Sequence, residues 1–132
     1  MSTFDWPVRV YYEDTDSGGL VYYANYLKFM ERARSEWLRS LGFEQDALIR
    51  DAAVIFAVRS VQVEYLRPAR FNDALTVSAA VVQSGGASIT FAQEVRRGDE
   101  VLCSGTVKIA SLDAVTLRPK PVPAQIAAAI GG

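Results

Sequence analysis

Apolar and polar residues alternate through most of the second half of the chain, which is the pattern of half-buried β-strands. The alternation covers residues 75–81, 87–91 and 101–112, and the sequence Ser-Gly-Gly at 84–86 separates the first two segments as a hairpin connection. Residues 53–66 begin as a continuous apolar run and end in alternation before Pro68. Four strands are therefore predicted here, and a fifth is predicted over residues 8–13.

A period near 3.6 replaces the alternation between residues 22 and 41. Large apolar residues recur there at spacings of three and four, which predicts one face of a helix: Tyr23, Tyr26, Met30, Ala33, Trp37 and Leu41. Asn25 is predicted to cap this helix, Gly42 stands where a helix-ending glycine belongs, and residues 44–51 are a candidate second helix. The order β-α-β-β-β-β predicts an α+β domain with one long helix packed on a five-stranded antiparallel sheet.

The length of 132 residues fits a single domain over 1–132, with residues from about 116 onward forming a loose tail or one weak turn of helix. We see no signal peptide at the N-terminus and no apolar run of the about 20 residues that a membrane helix needs, so we expect a cytoplasmic protein without a transmembrane segment. A sheet covered by one helix leaves its edge strands open, and pairing of sheet edges predicts at least a dimer.

The composition limits the chemistry mainly because the chain contains no histidine. Ser-His-Asp catalysis, Cys-His catalysis and imidazole metal sites are therefore excluded, and any metal site would consist of carboxylates. Cys103 is the single cysteine and lies in an alternating apolar segment, which predicts a buried, unreactive thiol and a reducing compartment. The net charge of −1 gives no reason to expect nucleic acid as a partner, and no nucleotide-binding glycine motif is present.

The stretch from Asp14 to Gly19 offers the strongest candidate chemistry. Its spacing alone favours an acidic turn, in which Asp14 and Asp16 satisfy local N–H groups. A functional interpretation is supported because the acids directly precede the long helix, whose free N–H groups favour negative charge and could polarise a carbonyl. Gly18 and Gly19 would let a substrate approach the backbone, and a carboxylate beside such a site can act as nucleophile or activate water.

Glu31 and Arg34 are the next candidates, since both lie near the apolar face of the predicted helix. An ion pair at the rim of the packing surface is the simpler explanation, and a substrate-facing Glu31 is the functional alternative. Basic residues scattered near strand ends could clamp the phosphates of a ligand, although the pattern does not single out which ones.

Residues 8–38 resemble the active-site segment of the 4-hydroxybenzoyl-CoA thioesterase family of hotdog-fold enzymes, and most of all the bacterial acyl-CoA thioesterases associated with the Tol–Pal system. The family's signature is met by Arg9, Val10, Thr15, Asp16, Gly19, Val21 and Tyr22, while Leu20 stands where isoleucine or valine is usual. The segment VEYLRPARFNDAL resembles the family's second conserved block, so the likeness covers nearly the whole chain.

This resemblance implies a long helix wrapped by a five-stranded sheet, subunits joined at sheet edges as dimers or tetramers, and hydrolysis of an acyl-CoA or acyl carrier protein thioester without metal or cofactor. It implies that Asp16 is the catalytic carboxylate and that the Tyr23 N–H binds the thioester oxygen. Members associated with the Tol–Pal system often have histidine where this chain has Tyr23, whereas the benzoyl-type branch has tyrosine. The alternatives are a non-catalytic acyl-thioester-binding or scaffold module and a hotdog dehydratase, whose catalytic histidine is missing here.

Overall fold

Five antiparallel strands form one sheet in the computed structural model, which describes residues 3–131. The strand order is β1-β3-β4-β5-β2, so β1 and β2 are the two edges of the sheet. The strands and helices are β1 (Phe4–Arg9), α1 (Asn25–Ser40), α2 (Gln45–Ala52), β2 (Val54–Tyr65), β3 (Ala74–Gly85), β4 (Ser88–Arg97), β5 (Glu100–Asp113) and α3 (Ala124–Gly131). The number of strands, their antiparallel pairing and the long helix agree with the order predicted from the sequence.

Helix α1 packs across the sheet and supplies the centre of the core. Its buried apolar face consists of Tyr26, Phe29, Met30, Ala33 and Leu38, which meet the inward-facing side chains of β3, β4 and β5. Gly42 follows the helix with a φ of 94°, as expected of a helix-ending glycine. The predicted stripe was partly wrong, because Tyr23 precedes the helix and is 60% exposed.

The first strand lies earlier than the predicted residues 8–13. Strand β1 pairs with β3 from Phe4 to Arg9, and a short 3₁₀ turn occupies Tyr12–Asp14 instead. Pro7 is compatible with a strand here because β1 is an edge and Pro7 needs no N–H on its open side. The chain therefore leaves the sheet before the candidate acids, which places them in a loop.

The C-terminal segment contains more structure than the loose tail predicted from its composition. Helix α3 covers Ala124–Gly131, and the Ile126 side chain is fully buried in the main core. Val122 donates its N–H to the carbonyl of Gly86 at 3.0 Å, which ties the approach to α3 to the β3–β4 turn. Val122 and Ile130 also pack against the core in part, so tertiary packing stabilises this short helix.

Cys103 is fully buried in β5, as predicted, and burial raises the pKa of its thiol to about 11. Within residues 3–131, no helix is both long enough and apolar enough to cross a membrane.

Candidate active site

The loop between β1 and α1 folds back on itself as a small hairpin. Thr15 and Val21 form an isolated antiparallel bridge, and the N–H of Asp16 donates to the carbonyl of Leu20 at 2.8 Å. The N–H of Gly19 closes the turn by donating to the carbonyl of Asp16 at 3.1 Å. Gly19 has a φ of 81°, a conformation that glycine adopts without steric cost. The loop thus holds Asp16 in its turn, nine residues before α1 begins.

The Asp16 side chain is exposed and oriented by the loop's own backbone. Its Oδ1 accepts the N–H of Gly18 at 2.9 Å and that of Leu20 at 3.2 Å. A Cβ at Gly18 would lie 3.3 Å from this oxygen, so glycine lets the loop close tightly over the carboxylate. No donor within residues 3–131 bonds Oδ2. One oxygen is therefore fixed and the other is available to a ligand or water.

Asp14 has a different environment and a structural role. It is only 7% exposed, and its Oδ2 accepts the N–H of Tyr11 at 2.8 Å. Its carbonyl accepts the N–H of Tyr22 at 3.0 Å and the side-chain amide of Asn25 at 2.8 Å. Asp14 therefore joins the beginning of the loop to the beginning of the helix, and the two acids point to different surroundings.

The start of α1 leaves backbone donors free beside this loop. Among the residues that the structure describes, no carbonyl or side chain accepts the N–H of Tyr23 or Ala24. The prediction that Asn25 caps the helix is wrong, because Ala24 occupies the cap position and the Asn25 side chain reaches back to Asp14 instead. In the part of the chain that the structure describes, no side chain therefore caps the start of α1, which carries the positive end of the helix dipole.

Aromatic side chains line the surface next to the helix start. The rings of Tyr22 and Tyr23 lie 4.8 Å apart, and Tyr65 meets Tyr23 edge-on at 6.2 Å and Tyr26 at 5.5 Å. The Tyr26 hydroxyl accepts the N–H of Ala69 at 2.9 Å, and burial raises the pKa of Tyr26. This group gives the site an apolar wall anchored to both α1 and β2.

Glu31 and Arg34 lie two to three turns further along α1, away from the Asp16 loop of the same chain. The ion pair predicted between them does not form. Glu31 is exposed and accepts the Ser35 hydroxyl at 3.1 Å, whereas Arg34 donates from Nη1 to Oε1 of Gln93 at 2.9 Å. The buried Gln93 amide replaces Glu31 as partner because Arg34 points toward the sheet rather than along the helix.

Gln93 is the residue of this region that the sequence analysis missed. It is 1% exposed and also donates from Nε2 to the carbonyls of Met30 and Ser78, at 3.0 and 3.1 Å. A signal was present, since Gln93 interrupts the apolar inward positions Ile89, Phe91 and Val95 of β4. A glutamine at such a position indicates a buried polar contact.

The other ionisable groups of the described part form structural pairs or remain at the surface. Arg97 donates to Asp73 at 2.6 Å and to Glu100 at 2.7 Å, which secures the loop before β3. No three acidic or thiol side chains within residues 3–131 are arranged to hold a metal ion. The aspartate loop and the helix start therefore remain the candidate site within the described chain.

Comparison with known proteins identifies a thioesterase family and a relative that is named a thioesterase. The family model described as Thioesterase superfamily matches residues 18–104. The acyl-CoA thioesterase YbgC of Haemophilus influenzae is 43% identical over 126 residues, which cover 96% of this chain and 93% of the relative.

Solved structures give the same fold. A probable thioesterase from Bartonella henselae is 34% identical with a TM-score of 0.89, covering 92% of this chain and 100% of the other. A 1,4-dihydroxy-2-naphthoyl-CoA thioesterase from Synechocystis shares 21% identity with a TM-score of 0.90, covering 98% of this chain and 96% of the other, a likeness of fold alone. The hotdog fold expected from the sequence is confirmed.

Proposed function

Because the chain belongs to the Thioesterase superfamily, we propose that it hydrolyses acyl-CoA thioesters to the free acid and the thiol. The observations that carry this proposal are a carboxylate oxygen of Asp16 and an N–H of Tyr23 that have no partner within residues 3–131, both in the segment that leads into α1. The 43% identical relative from Haemophilus influenzae is named an acyl-CoA thioesterase.

In the proposed reaction the Tyr23 N–H donates to the thioester oxygen and stabilises the negative charge that develops on it. Asp16 supplies the other half of the chemistry through its free Oδ2. As general base, it takes a proton from water while the water oxygen attacks the carbonyl carbon. The carbon–sulfur bond then breaks, and the CoA thiolate leaves and takes up a proton.

Asp16 can serve the same reaction as nucleophile. Its oxygen then bonds the carbonyl carbon, the thiolate leaves, and water hydrolyses the resulting anhydride. A single turnover in heavy-oxygen water identifies the anhydride route if the product acid carries no label, because water attack on the aspartyl carbonyl leaves an Asp16 oxygen in the acid and places the label on Asp16; attack on the acyl carbonyl would label the acid. The general-base route labels the product in that first turnover.

We propose that Gly19 and Glu31 contribute to substrate binding in different ways. Gly19 keeps the loop tip free of a side chain, which leaves the backbone open beside Asp16. Glu31 cannot reach the Asp16 loop of its own chain from two turns along α1, so its contact requires a long acyl group or a second subunit.

Two copies of the chain are proposed to join along their β2 edges, as a dimer or as a tetramer built from dimers. Strand β2 pairs only with β5 in the described chain, and it exposes Val58 and Val61, at 52% and 39%, beside the face of α1. An open, partly apolar edge strand is a site for strand pairing. Light scattering after gel filtration measures the oligomer directly, and a monomer at working concentration contradicts this part of the proposal.

A screen of acyl-CoA substrates with detection of free thiol tests the proposed function. We expect thiol release from at least one class of acyl group, and a parallel set on acyl carrier protein identifies the preferred carrier. Binding of acyl-CoA without any thiol release would instead support the non-catalytic module. The proposed cytoplasmic location is tested by fractionation of cells that express the tagged chain.

A further inference from the structure

The segment that carries Asp16 belongs to a narrow antiparallel strip of three chain segments. The N–H of Asp16 donates to the carbonyl of Leu20 at 2.8 Å, and Leu20 forms an isolated antiparallel bridge with Arg70. Asp16, Leu20 and Arg70 are therefore successive neighbours in one row across the strip. Paired positions of adjacent antiparallel segments lie about 5 Å apart, so about 10 Å separates the Cα atoms of Asp16 and Arg70.

Burial shows which face of the strip this row occupies. In the adjacent row, the N–H of Val21 donates to the carbonyl of Ala69 at 2.9 Å, and both side chains are buried in the core. Successive side chains of an extended segment point to opposite faces, so Leu20 and Arg70 lie on the outer face. Asp16 is paired with Leu20 and shares that face, and the side chains of Asp16 and Arg70 are both exposed.

Arg70 carries the positive charge that is left over in this region. Arg97 donates to Asp73 at 2.6 Å and to Glu100 at 2.7 Å, and Glu100 also lies 3.3 Å from Arg67. The backbone N–H of Arg70 donates to Asp73 at 2.8 Å, but within residues 3–131 its guanidinium forms no salt bridge. Three arginines and two carboxylates leave one net positive charge, and the guanidinium without a salt bridge is available to an anion.

The surface between the two ends of the row is apolar. Leu20 is half-buried between Asp16 and Arg70, and Tyr22, two residues further along the same segment, is 48% exposed. Glu13 is an exposed acid of the same loop and forms no salt bridge with Arg70 in the described chain. A ligand that lies along this row therefore meets a carboxylate at one end, an apolar surface in the middle and a guanidinium at the other end.

We propose that Arg70 binds the pyrophosphate of CoA, with the pantetheine arm lying across Leu20 from a thioester at Asp16. The inference rests on the proposed function and names a residue that recognises the carrier of the acyl group. Acyl-CoA presents its groups in the matching order, which is the thioester, an uncharged flexible arm and then the phosphates. A guanidinium fork matches phosphate oxygens with two parallel hydrogen bonds. The Arg70 side chain extends outward from the strip, so it can meet the phosphates at the end of the arm.

The test compares the KM of the best acyl-CoA from the substrate screen with that of the same acyl group on pantetheine, which lacks the phosphates. Arg70→Met should raise KM for the acyl-CoA about fivefold, as expected for a charge-assisted hydrogen bond at the surface, with kcat nearly unchanged. KM for the pantetheine thioester should not change, and KM for the acyl-dephospho-CoA, which keeps the pyrophosphate, should rise as for acyl-CoA. Arg70→Lys should retain part of the affinity.

Arg118→Met is the matched control. Arg118 is also exposed and forms no salt bridge within residues 3–131, but it follows the end of β5 that pairs with the start of β2. Arg70 follows the opposite end of β2, so the two arginines lie near opposite ends of the sheet. The control substitution should leave KM unchanged for all three substrates.

Several results would overturn the inference and leave the proposed function intact. One is an unchanged KM for acyl-CoA in Arg70→Met, and another is an equal rise for acyl-CoA and the pantetheine thioester. A rise that is absent with acyl-dephospho-CoA overturns the assignment to the pyrophosphate. Dissociation of the oligomer in Arg70→Met also overturns the inference, because the partner of Arg70 is then the second copy.

If no thioester is hydrolysed, the proposed function fails and titration calorimetry with CoA alone still decides the inference. CoA should bind the wild-type protein about fivefold more tightly than it binds Arg70→Met, whereas Arg118→Met should bind CoA like the wild-type protein. Equal affinities of the wild-type protein and Arg70→Met, or no binding of CoA to the wild-type protein, overturn the assignment.

Discussion

Replacing Asp14 by alanine should destabilise the fold without removing Asp16, the proposed catalytic acid. The buried Asp14 carboxylate accepts the Tyr11 N–H at 2.8 Å, so truncation leaves that donor without its partner. Hydrogen bonds to charged groups contribute about 1.5–3 kcal/mol, and the exposure of Tyr11 places this one near the lower end. A loss of about 1.5 kcal/mol corresponds to a decrease in Tm of about 4–8 °C for a chain of this length. Asp14→Asn keeps an acceptor oxygen and should lose less than half as much.

Urea unfolding measures this difference through the midpoint, with the m-value unchanged if only stability is affected. Well below the Tm, the kcat of both variants for the best acyl-CoA substrate should stay close to that of the wild-type protein. The reasoning is refuted if Asp14→Ala is as stable as the wild-type protein, or if Asp14→Asn is destabilised as much as Asp14→Ala.

The remaining predictions concern the core. Because burial raises the pKa of the Cys103 thiol to about 11, the thiol is protonated at neutral pH and should react with a thiol reagent only after denaturant is added. Rapid stoichiometric labelling of the native protein would contradict this burial. Ile126→Ala should cost about 2–4 kcal/mol in urea unfolding, whereas Ile49→Ala, at a position 48% exposed, should cost far less. Equal small losses of unfolding free energy in the two variants would show that burial of Ile126 does not attach α3 to the core.

Side-chain periodicity was sufficient to predict the helix and the four C-terminal strands. Helix α1 and strands β3, β4 and β5 each bury one face, so their periods of 3.6 or two are imposed by the core and remain visible in the sequence, whereas β2 was indicated by its apolar start and the alternation that follows. Strand β1 was placed too late because an edge strand pairs on one side only, and Pro7 obscures its pattern. Helix α3 was missed because its fully buried contact is a single side chain, Ile126, and Ile130 packs against the core only in part.

The loop that carries the candidate acids was located from the sequence, whereas its hydrogen bonds were not. Acids, glycines and a helix start are local features, so the position of Asp16 could be predicted. The contacts of Asn25 with Asp14 and of Arg34 with Gln93 join residues 11 and 59 positions apart. Such contacts depend on how α1 packs against the sheet. The local patterns of a single sequence do not specify this packing.

The distinction between the two acids is tested most directly by comparing thiol release from acyl-CoA by Asp16→Asn and Asp14→Asn. Asparagine at position 16 keeps an oxygen that can accept the N–H groups of Gly18 and Leu20, so the loop should stay folded while the carboxylate is lost. We predict that turnover is abolished in Asp16→Asn and retained in Asp14→Asn, with the oligomeric state unchanged in both. Retained turnover in a folded Asp16→Asn protein would contradict the assignment of Asp16 as the catalytic carboxylate.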